Sequence, residues 1–437
     1  MKAIISDKIY LKLPNNIDLS KKIMGDLTYK FRKKNLNPNV PTKLEIVKNY
    51  KLVNPDILVL PQGRTDLIPE GYQVEDRRVL NPVPFPTPNF ELRPDQLAQY
   101  ELANDSLFLN AAPGWGKTFT ALHIARKLGQ KTLVVCHNTN LRDQWVEEAE
   151  ALFGWRPGVI GSGKFDIEDH FVVVGNIQTL TKMKDRVAKE FGTIIMDEAH
   201  HCPASTFTEM IDSSHARYRL ALSGTMERLD GKHILFKDYF GPTVLRPDKF
   251  GTIDPEVHII KTGLQLPGAG ENWVDRMNML MYDPEYQKLI AGICRKYSNI
   301  GHKVLTVSDR TQFLDELGKY LGDDCIVCHG NIEFDETRKE ALNKVWTTHN
   351  HIAGSRQIFT EGISINILSC AVLAQPSGNH INLEQLAGRI MRTCPEKAHL
   401  GKPVIVDIQF KGPTANKQNQ ERLAFYLKMG WEVKNIL

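Results

Sequence analysis

The sequence predicts an α/β protein: two tandem parallel-sheet lobes preceded by a small basic α+β domain. Three observations carry that expectation. From residue 90 onward, short apolar runs of strand length alternate with stretches of helical spacing, the pattern of parallel sheets covered by helices. A proline-dense stretch separates this body from the first eighty residues. Those first residues hold the chain's excess of positive charge.

At 437 residues the chain exceeds one hydrophobic core, and about 150 residues per domain gives roughly three domains. Apolar and charged fractions of 42% and 24% are those of a globular protein. No run approaches the ~20 apolar residues of a membrane helix. The first fourteen residues are charged and alternating, unlike a secretory signal. Seven scattered cysteines, an odd number, form no disulfide framework and point to a reducing compartment, read as the cytoplasm.

Residues 1–80 mix alternating strands near 3–5, 9–11 and 57–60 with a helix expected between Leu19 and Lys34. Through Tyr50 there are eleven Lys and Arg against four Asp and Glu, or +7, in a chain of net charge +4. The remainder therefore sums to −3. A basic module on a near-neutral body suggests a polyanion partner; a solvated lysine-rich surface is the alternative that composition leaves open. Residues 81–89 contain four prolines and read as an extended linker.

The first lobe, 90–245, opens with a strand over 107–109, a small-residue turn and a helix from Thr118 with Ala121, Leu122, Ala125 and Leu128 on one face. A loop closed by Gly116-Lys117-Thr118 at a helix N-terminus turns backbone N–H groups toward phosphate. Lys117 would reach the β and γ phosphates, and Thr118 would place its hydroxyl on Mg²⁺. Ala111, Ala112, Pro113, Gly114 and Trp115 complete the loop, with Ala111 where the usual pattern has glycine. Trp115 is bulky there, and the sequence leaves open whether it is exposed or packs on the nucleotide. Strands follow over 132–136, 171–174, 193–196 and 219–222, with a helix over 141–152 carrying Leu141, Trp145, Ala149 and Leu152. Asp197-Glu198-Ala199-His200 follows the third of these strands, at the carboxyl edge where α/β sites form. Asp197 would hold Mg²⁺ and Glu198 would orient and deprotonate the attacking water.

Proline- and glycine-containing sequence over 246–272 reads as a connector. The second lobe, 273–437, has strands expected over 303–307, 326–327, 357–359, 369–374 and 404–408, and a helix with Phe313, Leu314, Leu317 and Leu321. Gln385, Arg389 and Arg392 fall on nearly one helix face and could meet phosphate, or form a salt-bridged surface.

In order and spacing these stretches resemble the superfamily 2 helicases and translocases, with two RecA-like lobes. The matching residues are Leu92-Arg93-Pro94-Asp95-Gln96 as the adenine-side motif, the Lys117 loop, Asn140 to Trp145, Asp197 to His200, Ser223-Gly224-Thr225, Thr360-Glu361-Gly362, and Gln385 to Arg392. Arg228-Leu229-Asp230 is similar to the Arg-Glu-Asp element of XPB-like enzymes, with Leu229 departing from it. Phe425 to Trp431 is similar to the tail of that branch and of UvsW-like phage recombination helicases. The resemblance implies Mg²⁺ and ATP held between the lobes, with Arg93 and Gln96 on the adenine side and Gln385, Arg389 and Arg392 contributed across the cleft. It implies nucleic-acid grips at His137, Asn138, Thr139, Asn176, Gln178, Thr179, Arg228 and Thr360, coupled to hydrolysis through His200, Ser223, Thr225 and Gly362.

The expected activity is an ATP-driven DNA helicase or translocase acting on branched or forked duplexes, with replication or recombination proteins as further partners. An RNA helicase and a nucleotide-gated DNA-binding scaffold are the competing readings. Cys325-Ile-Val-Cys328-His329 matches a haem-attachment spacing but falls in an expected strand, and reads as structural. His200-His201-Cys202 and His349-Asn350-His351 lack distant partners at zinc spacing.

Overall fold

The computed structural model describes residues 1–13, 17–33, 43–112, 114–199, 205–224, 232–248, 251–266, 272–329, 348–356, 365–376 and 380–436. The chain divides into two compact units, Met1–Lys249 and Phe250–Leu437.

The first unit is built on an eight-stranded sheet. From edge to edge its strands are Lys164–Phe165, Gly158–Gly161, Val172–Asn176, Thr132–Cys136, Thr193–Met196, Tyr218–Ser223, Leu107–Asn110 and Val244–Leu245. The first pairing is antiparallel and the rest are parallel. Runs such as Leu107-Phe108-Leu109 are apolar at every position because both faces of a parallel sheet are covered. Period-2 alternation divides them: Phe108, Leu133, Val135 and Ile194 enter one core, while Leu109, Val134, Ile195 and Leu220 enter the other. Helices Lys117–Leu128 and Thr139–Phe153 bury Ala121, Leu122, Ala125, Leu141, Trp145 and Ala149 in the second of these cores.

Ahead of this sheet, the chain forms a five-stranded sheet ordered Lys51–Asn54, Ile57–Pro61, Lys8–Lys12, Lys2–Ile5 and Gln73–Asp76, beside helix Ile17–Asp26. The helix expected over 19–34 ends at Asp26. Thr28–Lys33 is instead a strand that pairs antiparallel with Lys43–Lys48. Period 2 wins there because Tyr29 and Phe31 alternate into the first core of the large sheet. Asp238, fully buried on helix Phe236–Phe240, accepts from Tyr29 Oη at 2.9 Å, Asn49 Nδ2 at 2.7 Å and Arg64 Nη1 at 3.1 Å. The basic module is therefore docked on the large sheet through a buried charge that its own residues satisfy. Residues 81–89 form a strap rather than a free tether: Asn81 O accepts from Lys131 N–H at 2.7 Å, Asn89 N–H donates to Leu152 O at 2.7 Å, and Phe85 packs on Phe153 and Phe171.

The second unit holds a seven-stranded, wholly parallel sheet ordered Cys325–Cys328, His351–Ser355, Val304–Ser308, Cys370–Leu373, Val404–Lys411, Glu256–Gln265 and Glu432–Ile436. The stretch expected as a connector over 246–272 thus carries the ten-residue strand Glu256–Gln265, anchored by buried Val257 and Ile259. A strand expected over 357–359 lies outside the described residues; the observed strand is His351–Ser355. Helix Pro413–Lys428 covers the sheet and brings Arg422 onto Asp407. No helix among the described residues is long and apolar enough to cross a membrane.

Candidate active site

Parallel strands bring their carboxyl ends to one edge, and in the first unit the candidate residues lie along that edge. The loop after Leu107–Asn110 is tied to the neighbouring strand by the Ala111 N–H, which donates to Ser223 O at 3.1 Å. Gly114 and Gly116 have φ of +86° and +96°. A Cβ on Gly116 would stand 2.4 Å from Gln96 Nε2, so glycine is required by both conformation and space. Among the described residues Ala111 has no left-handed φ, which is why alanine serves where the usual pattern has glycine. Lys117 Nζ donates to Ala111 O at 2.9 Å and Ala112 O at 3.4 Å, holding its ammonium over the loop's own carbonyls. Thr118 follows in the first turn of the helix.

Trp115 is neither exposed nor turned outward: it is buried in the core against helices Lys117–Leu128 and Thr139–Phe153. Burying this large apolar ring anchors the loop from beneath. Its carbonyl accepts from Arg93 Nη2 at 2.6 Å and Gln96 Nε2 at 3.0 Å, while Gln96 Oε1 accepts from Arg93 N–H at 3.0 Å. Arg93 and Gln96 therefore brace the loop. Phe90 was not singled out in the sequence; it is 41% exposed and meets Phe119 edge-on at 5.1 Å, beside this brace. An exposed aromatic three residues ahead of Arg93 was the available signal.

Asp197 follows Thr193–Met196 and is buried. Its Oδ2 accepts from Trp145 Nε1 at 2.8 Å and its Oδ1 from Glu198 N–H at 2.9 Å. Burial, then the neighbouring Glu198 charge, push its carboxyl up to about 6, against the Trp145 hydrogen bond and the Lys117 charge. Glu198 has φ +48°, a left-handed conformation that costs a non-glycine residue about 1–2 kcal/mol. The donor set fits a divalent cation: a buried carboxylate held by two neutral N–H groups, next to a second carboxylate. Trp145 entered the sequence reading as a core residue and as the end of the matched Asn140 to Trp145 stretch; its contact with Asp197 spans 52 residues, beyond any local pattern.

Cys136 and Asn176 are register partners at the ends of adjacent strands, so the candidate grips also reach this edge. Asn138 caps helix Thr139–Phe153, accepting from Leu141 N–H at 2.9 Å. Gln178 Nε2 donates to His137 O at 2.9 Å, and Asn176 Oδ1 accepts from Arg142 Nη1 at 3.0 Å. Thr179 lies on the short helix Ile177–Lys182. Pro113, His200, Thr225, Arg228, Thr360 and Gly362 lie outside the described residues.

In the second unit, Gln385 and Arg389 sit half-buried on helix His380–Ile390, off the side that buries Leu386, Ala387 and Ile390. Arg392 does not continue that face. The helix ends at Ile390, whose carbonyl accepts from Lys397 Nζ at 2.9 Å, and Arg392 bridges Thr252 while its Nη1 donates to Asn366 Oδ1 at 3.1 Å. Cys325 and Cys328 lie in a parallel strand, and burial pushes the Cys325 thiol up to about 12, an inert setting. Among the described residues no group of three His, Cys, Asp or Glu could hold a metal ion.

Residues 91–228 match the type III restriction enzyme res subunit family, and residues 286–394 match the helicase conserved C-terminal domain. A protein of Escherichia phage T5 named Probable helicase D10 is 38% identical over 99% of this chain and 95% of its own length. A mimivirus protein named as an ATP-dependent RNA helicase is 27% identical over 74% of this chain and 63% of its own. A DNA 3'-5' translocase, XPB2, of Sulfurisphaera tokodaii is 22% identical over 79% and 88%. Yeast Dbp5 bound to RNA superposes with a TM-score of 0.56 over 79% of this chain and 94% of its own, at 13% identity, a likeness of fold with its RecA-like lobes. With its loop, acid pair and paired parallel-sheet lobes, the chain belongs to the superfamily 2 helicases.

Proposed function

We propose that this helicase is a DNA-dependent ATPase that unwinds or migrates forked and branched DNA. One observation carries the reading: a single sheet edge holds the Lys117 loop, the Asp197 and Glu198 pair, and the Asn138, Asn176 and Gln178 group. Lys117 exchanges the Ala111 carbonyl for phosphate oxygens, which are stronger acceptors. Asp197 and Thr118 would hold Mg²⁺, which would supply charge neutralisation at the phosphates. Glu198, fixed by its own N–H on Asp197, orients and deprotonates the attacking water. On the second unit, Gln385 and Arg389 are half-buried on helix His380–Ile390 and offer a donor and a positive charge of the kind that suits phosphate.

The grips offer amide and backbone groups that suit phosphate and read no sequence. In the basic module, Lys30, Lys48, Leu44 and Ile46 share the outward face of the antiparallel ribbon, opposite buried Tyr29 and Phe31. A two-stranded ribbon fits the major groove, and its lysines make that contact salt-dependent. The XPB2 relative supports DNA; the relative named as an RNA helicase and the fold shared with RNA-bound Dbp5 support an RNA substrate as the second reading.

The deciding experiment compares ATP turnover with single-stranded DNA, forks, four-way junctions and RNA. The account expects the largest stimulation with forks or junctions, whereas stimulation by RNA alone would replace it with the second reading. Lys117→Ala and Glu198→Gln should each abolish turnover, and persistence of hydrolysis in either refutes that residue's role.

A further inference from the structure

We propose that Trp145 is a positioning residue that links the nucleic-acid side of the first unit to its acid pair, through the indole N–H that holds Asp197. This rests on the site reading above. Trp145 is 1% exposed, and its Nε1 reaches Asp197 Oδ2 at 2.8 Å across 52 residues of sequence. That contact is not forced by burial alone. Trp115 lies in the same core cluster, and its Nε1 has no hydrogen-bond partner among the described residues, so the fold tolerates an indole without an acceptor.

The consequence runs through both carboxylate oxygens. With Oδ2 fixed by the indole, Oδ1 is aimed at the Glu198 N–H, 2.9 Å away. Glu198 stands at φ +48°, a conformation that persists only when its surroundings impose it. Trp145 thereby sets the rotamer of one acid and, through it, the backbone of the other.

The same helix connects this point to the grips. Helix Thr139–Phe153 starts at its cap Asn138, and Trp145 lies seven residues further on, about two turns or ~10 Å along a rigid rod. Between them Arg142, itself buried, donates through Nη1 to Asn176 Oδ1 at 3.0 Å and Ser162 Oγ at 2.9 Å. A strand of nucleic acid that shifts Asn138 or Asn176 moves this helix, and the indole carries the shift to Asp197. The link is a hydrogen bond at one end and packed helix along the rest, so it needs no further moving part.

The test uses the full chain, with ATP turnover measured across Mg²⁺ and forked-DNA concentrations. Trp145→Phe keeps an aromatic ring and removes the donor. The expected result is a fall of about 10–100-fold in kcat or in apparent Mg²⁺ affinity, a KM for ATP within about twofold, and stimulation by DNA falling toward unity. Leu152→Ala opens a cavity in the same helix and core without touching the acids, and should lower stability while leaving kcat, Mg²⁺ dependence and stimulation unchanged. A Trp145→Phe protein that behaves like Leu152→Ala overturns the inference. Should Trp145→Phe fail to fold, the wild-type protein labelled with ¹⁵N at its indoles decides: the Trp145 Nε1–H resonance, assigned by substituting the other tryptophans, should shift when forked DNA is added without nucleotide. An unmoved resonance contradicts the link. Turnover surviving in Lys117→Ala and Glu198→Gln would instead remove the site reading itself, an outcome distinct from a silent Trp145.

Discussion

Each parallel sheet buries an aspartate, and the two are compensated in opposite ways. Asp407 in the second unit is wholly buried and accepts from Arg422 Nε at 3.0 Å, Arg422 Nη2 at 2.8 Å and Tyr426 Oη at 3.0 Å. A guanidinium cancels its charge on the spot. Asp197 in the first unit accepts from an indole N–H and a peptide N–H, beside a second carboxylate. The completed pair pins helix Pro413–Lys428 to its sheet; the incomplete one keeps a charge that a cation can answer.

That contrast can be broken at several points. The largest effect is expected at Arg422→Leu, which strands Asp407 as a buried unpaired charge and should cost about 3–5 kcal/mol in denaturant unfolding of the second unit. A loss below about 1 kcal/mol would mean the pair does not pin the helix. Asp197→Asn should destroy turnover and remove the pH dependence of stability that the buried carboxyl gives the metal-free protein.

The sign of that second prediction follows from burial. The Asp197 carboxyl is raised, so its protonated form is the one the fold favours. Its contribution is most favourable below the unfolded value near 3.9 and is lost as pH rises through about 6. The stability of Asp197→Asn relative to the wild type should therefore rise as pH increases from about 4 to about 8 in a series of thermal melts. A difference that does not change with pH would place the effect in packing instead. A smaller change is expected at Phe90→Ala, which removes the edge-on contact with Phe119 and should lower stability by about 1 kcal/mol in denaturant unfolding. Least of all, Lys402→Ala removes the exposed pair with Glu432 at 2.9 Å and should shift stability by less than about 0.5 kcal/mol.

How much of this was legible depended on whether the signal was local. The strands at Leu107–Asn110, Thr132–Cys136 and Thr193–Met196 are visible as apolar runs, and the Lys117 loop and Asp197-Glu198 are visible as short spacings at their ends. Glu256–Gln265 was hidden because only Val257 and Ile259 drive its burial, amid outward polar residues and flanking Gly and Pro. Thr28–Lys33 was hidden because Lys30 separates its two aromatics and Arg32 and Lys33 follow them, and the core that buries Tyr29 and Phe31 is built from residues between Phe108 and Phe240. Spacing placed Arg392 with Arg389, but spacing does not see where a helix ends, and Lys397 caps this one at Ile390. Trp145 and Asp197 meet across 52 residues, a pairing no local pattern encodes.

The most direct test of the central claim, that the incomplete charge at Asp197 is a cation site for a bound nucleotide, is the melting temperature with ADP in the presence and absence of Mg²⁺. Wild-type protein should gain markedly from Mg²⁺ over ADP alone, and Asp197→Asn should gain little or nothing. An equal Mg²⁺-dependent gain in both proteins would contradict the account.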